Sequence, residues 1–302
     1  MKNNVIKVNK IFKHYGEVHA VDGVTLSVLE GETLGLIGHN GAGKSTLFKM
    51  MLGLIPPTSG EIMINDTPIH GGAFRELRRS IGYLPENVVF YDNLTGLETL
   101  QFFAALKGCK REQCQPLLAK VGLAQAANRR VDGYSKGMRQ RLGFAQALLG
   151  HPRILFLDEP TTGLDPEAIR EFYVILHDLN TQGVTVVITS HILSEIQERV
   201  QRLAVLKSGK LDAIGTVEEL RESVNLPLII RVRHQCSPEV LRNALQGVAL
   251  NEFKALGNTA EIRCHRLQKM EVLRRLGTLG DTLEDVLVKE PTLEDVFFGY
   301  AG

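Results

Sequence analysis

The residues Gly38-His39-Asn40-Gly41-Ala42-Gly43-Lys44-Ser45-Thr46 fit the pattern G-x-x-x-x-G-K-[ST], and each constrained position has a job that suits its residue type. Glycines let successive backbone N–H groups close around phosphate oxygens. Lys44, an ammonium on a flexible stem, reaches the β and γ phosphates, and the Ser45 hydroxyl is a ligand for Mg²⁺. The pattern follows an apolar run ending at Ile37 and precedes Lys44-Ser-Thr-Leu-Phe-Lys-Met-Met-Leu, which reads as a helix. The N-terminus of that helix adds its dipole to the anion site. A functionless glycine-rich turn would match the bare pattern in on the order of one chain in a hundred at ordinary residue usage. The strand-loop-helix context therefore argues for a nucleotide phosphate.

A second constellation lies at Ile154-Leu155-Phe156-Leu157-Asp158-Glu159-Pro160. An apolar run ending in two carboxylates reads as a buried strand, and in a parallel sheet the end of such a strand opens on the crevice where ligands bind. Asp158 there holds Mg²⁺ through water, and Glu159 polarises the attacking water. Two acids at a strand end are often only a solvated turn; beside Lys44 and Ser45 the catalytic reading outweighs that one. The four cysteines, Cys109, Cys114, Cys236 and Cys264, show no C-x-x-C spacing and fit a reducing compartment. His234 with Cys236 would share a strand face and Cys264 with His265 would not; both pairs read as surface and core residues rather than metal ligands.

These groups need rigid elements to hold them. From Val5 to Ile37 short, partly alternating apolar runs are divided by Tyr15-Gly16, Asp22-Gly23 and Glu30-Gly31, which predicts strands and turns. From about Thr95 to Gly150 the apolar spacing is helical. Then come a strand at Ile154 to Leu157, a helix at Pro166 to Leu179, a strand at Val184 to Thr189 and a helix at Leu193 to Val200. That alternation is α/β with a parallel sheet. Thr216 to Asn225 reads as a last helix and a linker, after which strand and helix signals restart as a small βαββαβα domain. The echo of Thr-Leu-Glu-Asp-Val at Thr282 and Thr292 is too short to be a repeat architecture.

A chain of 302 residues with 44% apolar and 23% charged residues and a net charge of +1 is an ordinary globular composition, not one tuned to a polyanion, so nucleic acid is not the expected partner. The longest apolar runs, such as Val184 to Ile188, fall far short of the ~18 to 20 residues of a membrane span. Lys7 and Lys10 break the apolar character of the start, so no secretory signal is expected and the chain reads as cytoplasmic.

Between the two constellations stands Tyr134-Ser135-Lys136-Gly137-Met138-Arg139-Gln140. With it, residues from Val5 to about Leu220 resemble the nucleotide-binding subunit of ABC (ATP-binding cassette) transporters. The resemblance implies an α/β P-loop NTPase cassette at 1–222, a RecA-like core with an antiparallel β subdomain and a helical subdomain at about 87–150, followed by a small α+β domain at 223–302. It implies Mg²⁺-dependent ATP hydrolysis in which Tyr15 stacks on adenine, Lys44, Glu159 and His191 are catalytic, and Mg²⁺ is approached by Ser45, Asp158 and Glu86. Ser135, Lys136 and Gly137, with Asp165 of Gly163-Leu-Asp-Pro, would complete the site of a second copy, so the working form is a homodimer.

Two positions depart from the family. Its signature is usually Leu-Ser-Gly-Gly-Gln, of which only Ser135 and Gly137 are kept, and Glu86 stands where the family typically has Gln. Within the family the chain is most similar to single-cassette subunits of the ABC-2 exporter-like class, which often end in a segment of the kind seen at Pro291 to Phe297. The run Leu84 to Phe103 resembles the ATPases of systems that mature the copper sites of nitrous oxide reductase. The implied partners are an integral membrane permease and, through it, a periplasmic protein, with this chain peripheral on the cytoplasmic face of the inner membrane. The alternatives are the ATPase of a different ABC-2 exporter, of a drug, lipid or polysaccharide, and a non-transport ABC ATPase acting on ribosomes or DNA; relatives of the latter kind usually carry a second cassette or a long coiled-coil insertion, and neither is present in this sequence.

Overall fold

The computed structural model describes residues 3–223 and 226–290; the expected final helix and the segment Pro291 to Phe297 lie outside the described residues. The chain divides into two compact units, Met1–Thr216 and Val217–Gly302.

In the first unit the elements are β1 (Asn4–Tyr15), β2 (Val18–Leu29), β3 (Thr33–Ile37), α1 (Lys44–Met51), β4 (Ser59–Ile64), β5 (Thr67–Pro68), α2 (Gly71–Leu77), β6 (Ile81–Leu84), α3 (Gly96–Lys107), α4 (Cys114–Lys120), α5 (Lys136–Leu148), β7 (Ile154–Leu157), α6 (Pro166–Thr181), β8 (Thr185–Ser190), α7 (Leu193–Ile196), β9 (Arg202–Lys207) and β10 (Lys210–Gly215). They form a four-stranded antiparallel sheet ordered β2-β1-β4-β5 and a six-stranded sheet ordered β10-β9-β3-β8-β7-β6. In the larger sheet β9, β3, β8, β7 and β6 run parallel, and only the edge strand β10 is antiparallel. Every residue of β3, β7 and β8 is buried, as expected of strands covered on both faces.

Because β3, β8 and β7 are parallel neighbours, the loops that leave their C-terminal ends share one edge of the sheet, where α/β proteins bind ligands. The glycine-rich loop leaves β3, the two acids leave β7, and Thr189-Ser190-His191 closes β8 between them. Packing locks this arrangement. Phe48 of α1 meets Phe156 of β7 edge to face with ring centroids 5.3 Å apart, and both rings are fully buried. Burial of one such side chain is worth about 1.5–3 kcal/mol, and the ring pair adds about 0.5–1.5 kcal/mol. Helix α3 begins with a full capping box, Thr95 and Glu98 bonding each other's backbone N–H, which sets the start of the helical region.

Several elements differ from the sequence reading. The helix expected over Leu193 to Val200 is one turn, Leu193–Ile196, and the hairpin β9–β10 that follows was not anticipated; its Ser208-Gly209 turn takes positive φ at both residues, a hairpin signal outside the commonest Asn-Gly and Asp-Gly types.

The second unit consists of α8 (Val217–Ser223), β11 (Leu228–His234), α9 (Pro238–Ala244), β12 (Glu252–Leu256), β13 (Thr259–Cys264), α10 (Lys269–Gly277) and β14 (Leu283–Lys289). After α8, its described residues run βαββαβ, with an antiparallel sheet ordered β12-β13-β11-β14. Leu228, Ile230 and Val232 of β11 alternate into a core shared with Ile262, Leu241, Val272 and Leu276.

Candidate functional site

The loop after β3 is shaped by glycines that nothing else could replace. A Cβ on Gly38 would run into the carbonyl oxygen of Leu206, and one on Gly43 into that of Ala20; Gly43 also has φ +99°, a conformation costly to any other residue. The close approach of Gly43 to Ala20 sets the β1–β2 hairpin beside the loop. Lys44 is buried and its ammonium donates to the loop's own carbonyls, 2.5 Å to Gly38 O and 3.3 Å to His39 O. Burial pushes its pKa down, while the carboxylates of Glu159, Asp158 and Glu86 oppose that shift. The lysine is therefore a cation partly stripped of water, held by replaceable bonds and facing three acids.

The acids are held from β8. Thr189 is fully buried; its hydroxyl donates to Asp158 Oδ1 at 2.7 Å and accepts from the backbone N–H of Glu159 at 2.9 Å. One side chain thus fixes both acids. Burial pushes the Asp158 carboxyl pKa up, and the Thr189 hydrogen bond works against that. No ion pair satisfies Asp158 among the described residues, so its buried charge suits a divalent cation together with the Ser45 hydroxyl. Glu159 sits at φ +46°, a left-handed conformation that costs a non-glycine residue about 1–2 kcal/mol, and such strain concentrates at functional sites. Its Oε2 is 2.7 Å from His191 Nδ1. The glutamate is nearly buried while half of the His191 side chain is exposed, so the pair reaches from the sheet edge to solvent.

The structure brings Gly38 to Thr46, Asp158, Glu159 and His191 to this one edge. Glu86 lies exposed in the loop after β6, and its charge contributes to the shifts of Lys44, Asp158 and Tyr83. Tyr15 is at the end of β1, 52% exposed, with Lys13 Nζ 5.0 Å above its ring. Ser135 and Lys136 are exposed at the start of α5. Ser135 caps that helix, accepting from Met138 N at 3.2 Å, and Asp165 likewise caps α6, accepting from Ala168 N at 2.8 Å. No hydrogen bond or ion pair joins Ser135 to Lys44 among the described residues. Helix α5 reaches the loop that carries the acids through buried Gln140, whose Nε2 donates to Pro160 O at 3.1 Å.

Sequence reasoning gave no role to Thr189, Gln140 or Tyr83. Tyr83, on β6, is pushed up to about 12 by burial and by Asp158 and Glu86, so it stays a neutral hydroxyl beside the acids. Thr189 had one visible signal, a hydroxyl directly after the apolar run Val186-Val187-Ile188. A cavity of about 670 Å³ lined by Lys110, Pro116, Arg153 and Val184 lies away from all these motifs; phosphate cradles are open loops, so cavity size is a poor guide here.

Thr189→Val keeps the shape of the side chain but leaves Asp158 and the Glu159 N–H without their partner. The expected cost is about 1–3 kcal/mol, a fall of several degrees in the melting temperature. Differential scanning calorimetry with an unchanged transition would remove Thr189 from this role.

The profile for ABC transporters matches residues 21–162. The chain is similar to the daunorubicin resistance ATP-binding protein of Streptomyces coeruleorubidus, 33% identical over 100% of this chain and 97% of that protein. It is also similar to an ABC transporter ATP-binding protein of Nostoc, 41% identical over 69% of this chain and 63% of that one. The chain spans as little as 13% of longer relatives. Among solved structures, a dimeric ATP-binding cassette in a post-hydrolysis state with ADP and phosphate matches 70% of this chain and 98% of its own, with 27% identity and a TM-score of 0.64.

Proposed function

We propose, because the chain belongs to the ABC transporter family of ATP-binding proteins, that it binds and hydrolyses Mg·ATP as one of two copies that drive a separate membrane subunit. One observation carries the hydrolytic part: Lys44, Asp158 and the Glu159–His191 pair meet at one edge of a parallel sheet, on the loops of adjacent strands. The backbone of Gly38 to Gly43 cradles the phosphates, Lys44 neutralises the β and γ oxygens, and Ser45 and Asp158 would hold Mg²⁺, which draws charge off the phosphoryl oxygens when bound. Glu159 orients the attacking water and takes its proton, and His191 steadies the glutamate from the solvent side. Catalysis of this kind is positioning plus electrostatics.

Family resemblance, not geometry, supports the roles of Tyr15 against adenine, of Glu86 near the metal, and of Ser135, Lys136, Gly137 and Asp165 toward a second copy. The membrane partner is supported by an exposed apolar set on the helical region: Val89, Tyr91, Phe102 and Leu106. Tyr91 and Phe102 stack edge to face at 6.0 Å; exposed aromatic clusters of this kind mark interaction surfaces. Among the described residues no helix is long and apolar enough to cross a membrane, so the transport path belongs to that partner, at the cytoplasmic face of which this chain would sit.

For the cargo system, the resemblance of Leu84 to Phe103 supports NosF, the ATPase that serves copper-site maturation in nitrous oxide reductase, with a periplasmic protein reached through the permease. The near full-length likeness to a daunorubicin resistance protein favours a second reading, the ATPase of an ABC-2 drug exporter. Deletion of the gene separates them: loss of copper from nitrous oxide reductase supports the first, and drug sensitivity with a normal reductase supports the second.

Lys44→Ala tests the nucleotide reading itself. Removing a charge-assisted contact in a partly desolvated site costs about 1.5–3 kcal/mol, roughly a 10- to 150-fold loss of ATP affinity. Unchanged affinity in a filter-binding assay would refute the phosphate-loop assignment.

A further inference from the structure

A cluster outside the nucleotide motifs sits on the β1–β2 hairpin. His14 and His19 are cross-strand partners, with their rings stacked at a centroid separation of 4.0 Å and an interplanar angle of 15°. Asp22 lies three residues beyond His19, and in a regular strand an odd spacing would put it on the opposite face. The hairpin has a register shift here: Lys13 pairs with Val21, but His14 pairs with His19. One extra residue of β2 is therefore accommodated opposite β1, and such a bulge re-aims the side chains beyond it. The bulge turns Asp22 to the histidine side, and a ring nitrogen of each histidine and a carboxylate oxygen of Asp22 all lie within 4.8 Å of one another.

A second feature makes this more than a crowded surface. His14 Nε2 is buried and has no hydrogen-bond partner, a costly condition for a polar atom, whereas the His14 backbone N–H is satisfied by Thr58 Oγ1 at 3.0 Å. Asp22 gives one oxygen, Oδ2, to Lys210 at 3.3 Å, and a carboxylate has a second to offer.

We infer that His14, His19 and Asp22 form a binding site for a borderline transition-metal dication such as Zn²⁺ or Cu²⁺. Two imidazoles and a carboxylate are the donor set these ions prefer over Mg²⁺ or Ca²⁺, which take oxygen ligands. With ligand bonds of about 2.0–2.2 Å, tetrahedral donors lie about 3.4 Å apart, so no pair in the group has to close by more than about 1.4 Å. Rotation about χ2 of histidine, a soft torsion, converges the ring nitrogens, which run side by side while stacked. The ion would clamp β1 to β2 beside Tyr15, the last residue of β1.

The test is isothermal titration of Zn²⁺ into the full-length, untagged protein without Mg²⁺ or nucleotide. One equivalent should bind, and His14→Gln and His19→Gln should each weaken binding at least about tenfold, the lower bound seen even for residues that only support metal ligands. Equal melting temperatures of the metal-free proteins would show that the variants fold. Cu²⁺ bound to the unaltered protein should show an electron paramagnetic resonance spectrum with hyperfine coupling to two imidazole nitrogens, which needs no variant. Absence of binding, binding indifferent to both substitutions, or a Cu²⁺ spectrum without two nitrogens would overturn the assignment.

Discussion

Glu159→Gln is expected to bind Mg·ATP with near-parental affinity and to release phosphate about 10²- to 10⁴-fold more slowly, the range supplied by a positioned general base. The substitution isolates the proton acceptor. Gln has the length of Glu, so the backbone at φ +46°, the N–H bond to Thr189 at 2.9 Å and the 2.7 Å approach to His191 Nδ1 can all persist with the amide oxygen turned toward the histidine. What disappears is a group that takes a proton from water. The lost charge also removes one of the carboxylates that hold the Lys44 ammonium in its charged form, so nucleotide affinity is measured alongside turnover. Phosphate release within a few-fold of the parent, with ATP bound, would show that water is activated by another residue.

The acids and the lysine were legible because they are local words: a phosphate loop needs its glycines and lysine in sequence, and a buried strand ending in Asp158-Glu159 announces where it stops. What holds them was not. Thr189 lies 31 residues from Asp158, and only the adjacency of β7 and β8, a property of the sheet order, makes its hydroxyl the shared partner of both acids. Gln140 is similar: within its motif it is one polar residue on a helix, and its bond to Pro160 exists because α5 packs against the loop after β7. The hairpin cluster escaped notice because an odd spacing between His19 and Asp22 argues against a shared face unless a bulge intervenes, and bulges leave little trace in sequence. The helix after His191 was overextended because the apolar spacing of Leu193 and Ile196 carries on to Val200, although the chain turns there to enter β9.

Ser135→Arg is expected to leave ATP binding to single subunits intact and to lower hydrolysis by about 10²- to 10³-fold, the effect of removing one preorganised donor from a developing charge, if two copies share each site. The residue is exposed at the N-terminus of α5, a thirteen-residue helix, with no bond to its own Lys44. On the proposed dimer reading, this outward-facing surface would approach a neighbour's γ-phosphate. Arginine there adds bulk where the second subunit must close. The substitution also strips the cap on Met138 N–H, worth about 0.5–2 kcal/mol, so Ser135→Ala is the control: it loses the cap without the bulk, and activity lost equally in both would point to helix fraying. Subunit mixing supplies the decisive readout. When altered and unaltered subunits exchange, each mixed dimer contains one site completed by arginine. Because the sandwich closes only with both sites packed, that one altered site disables the whole mixed dimer, and total activity should fall below the unaltered fraction of subunits. Activity that simply follows the unaltered fraction, with exchange demonstrated independently, would overturn joint closure, since it is the result for chains that hydrolyse ATP alone or for sites that work independently.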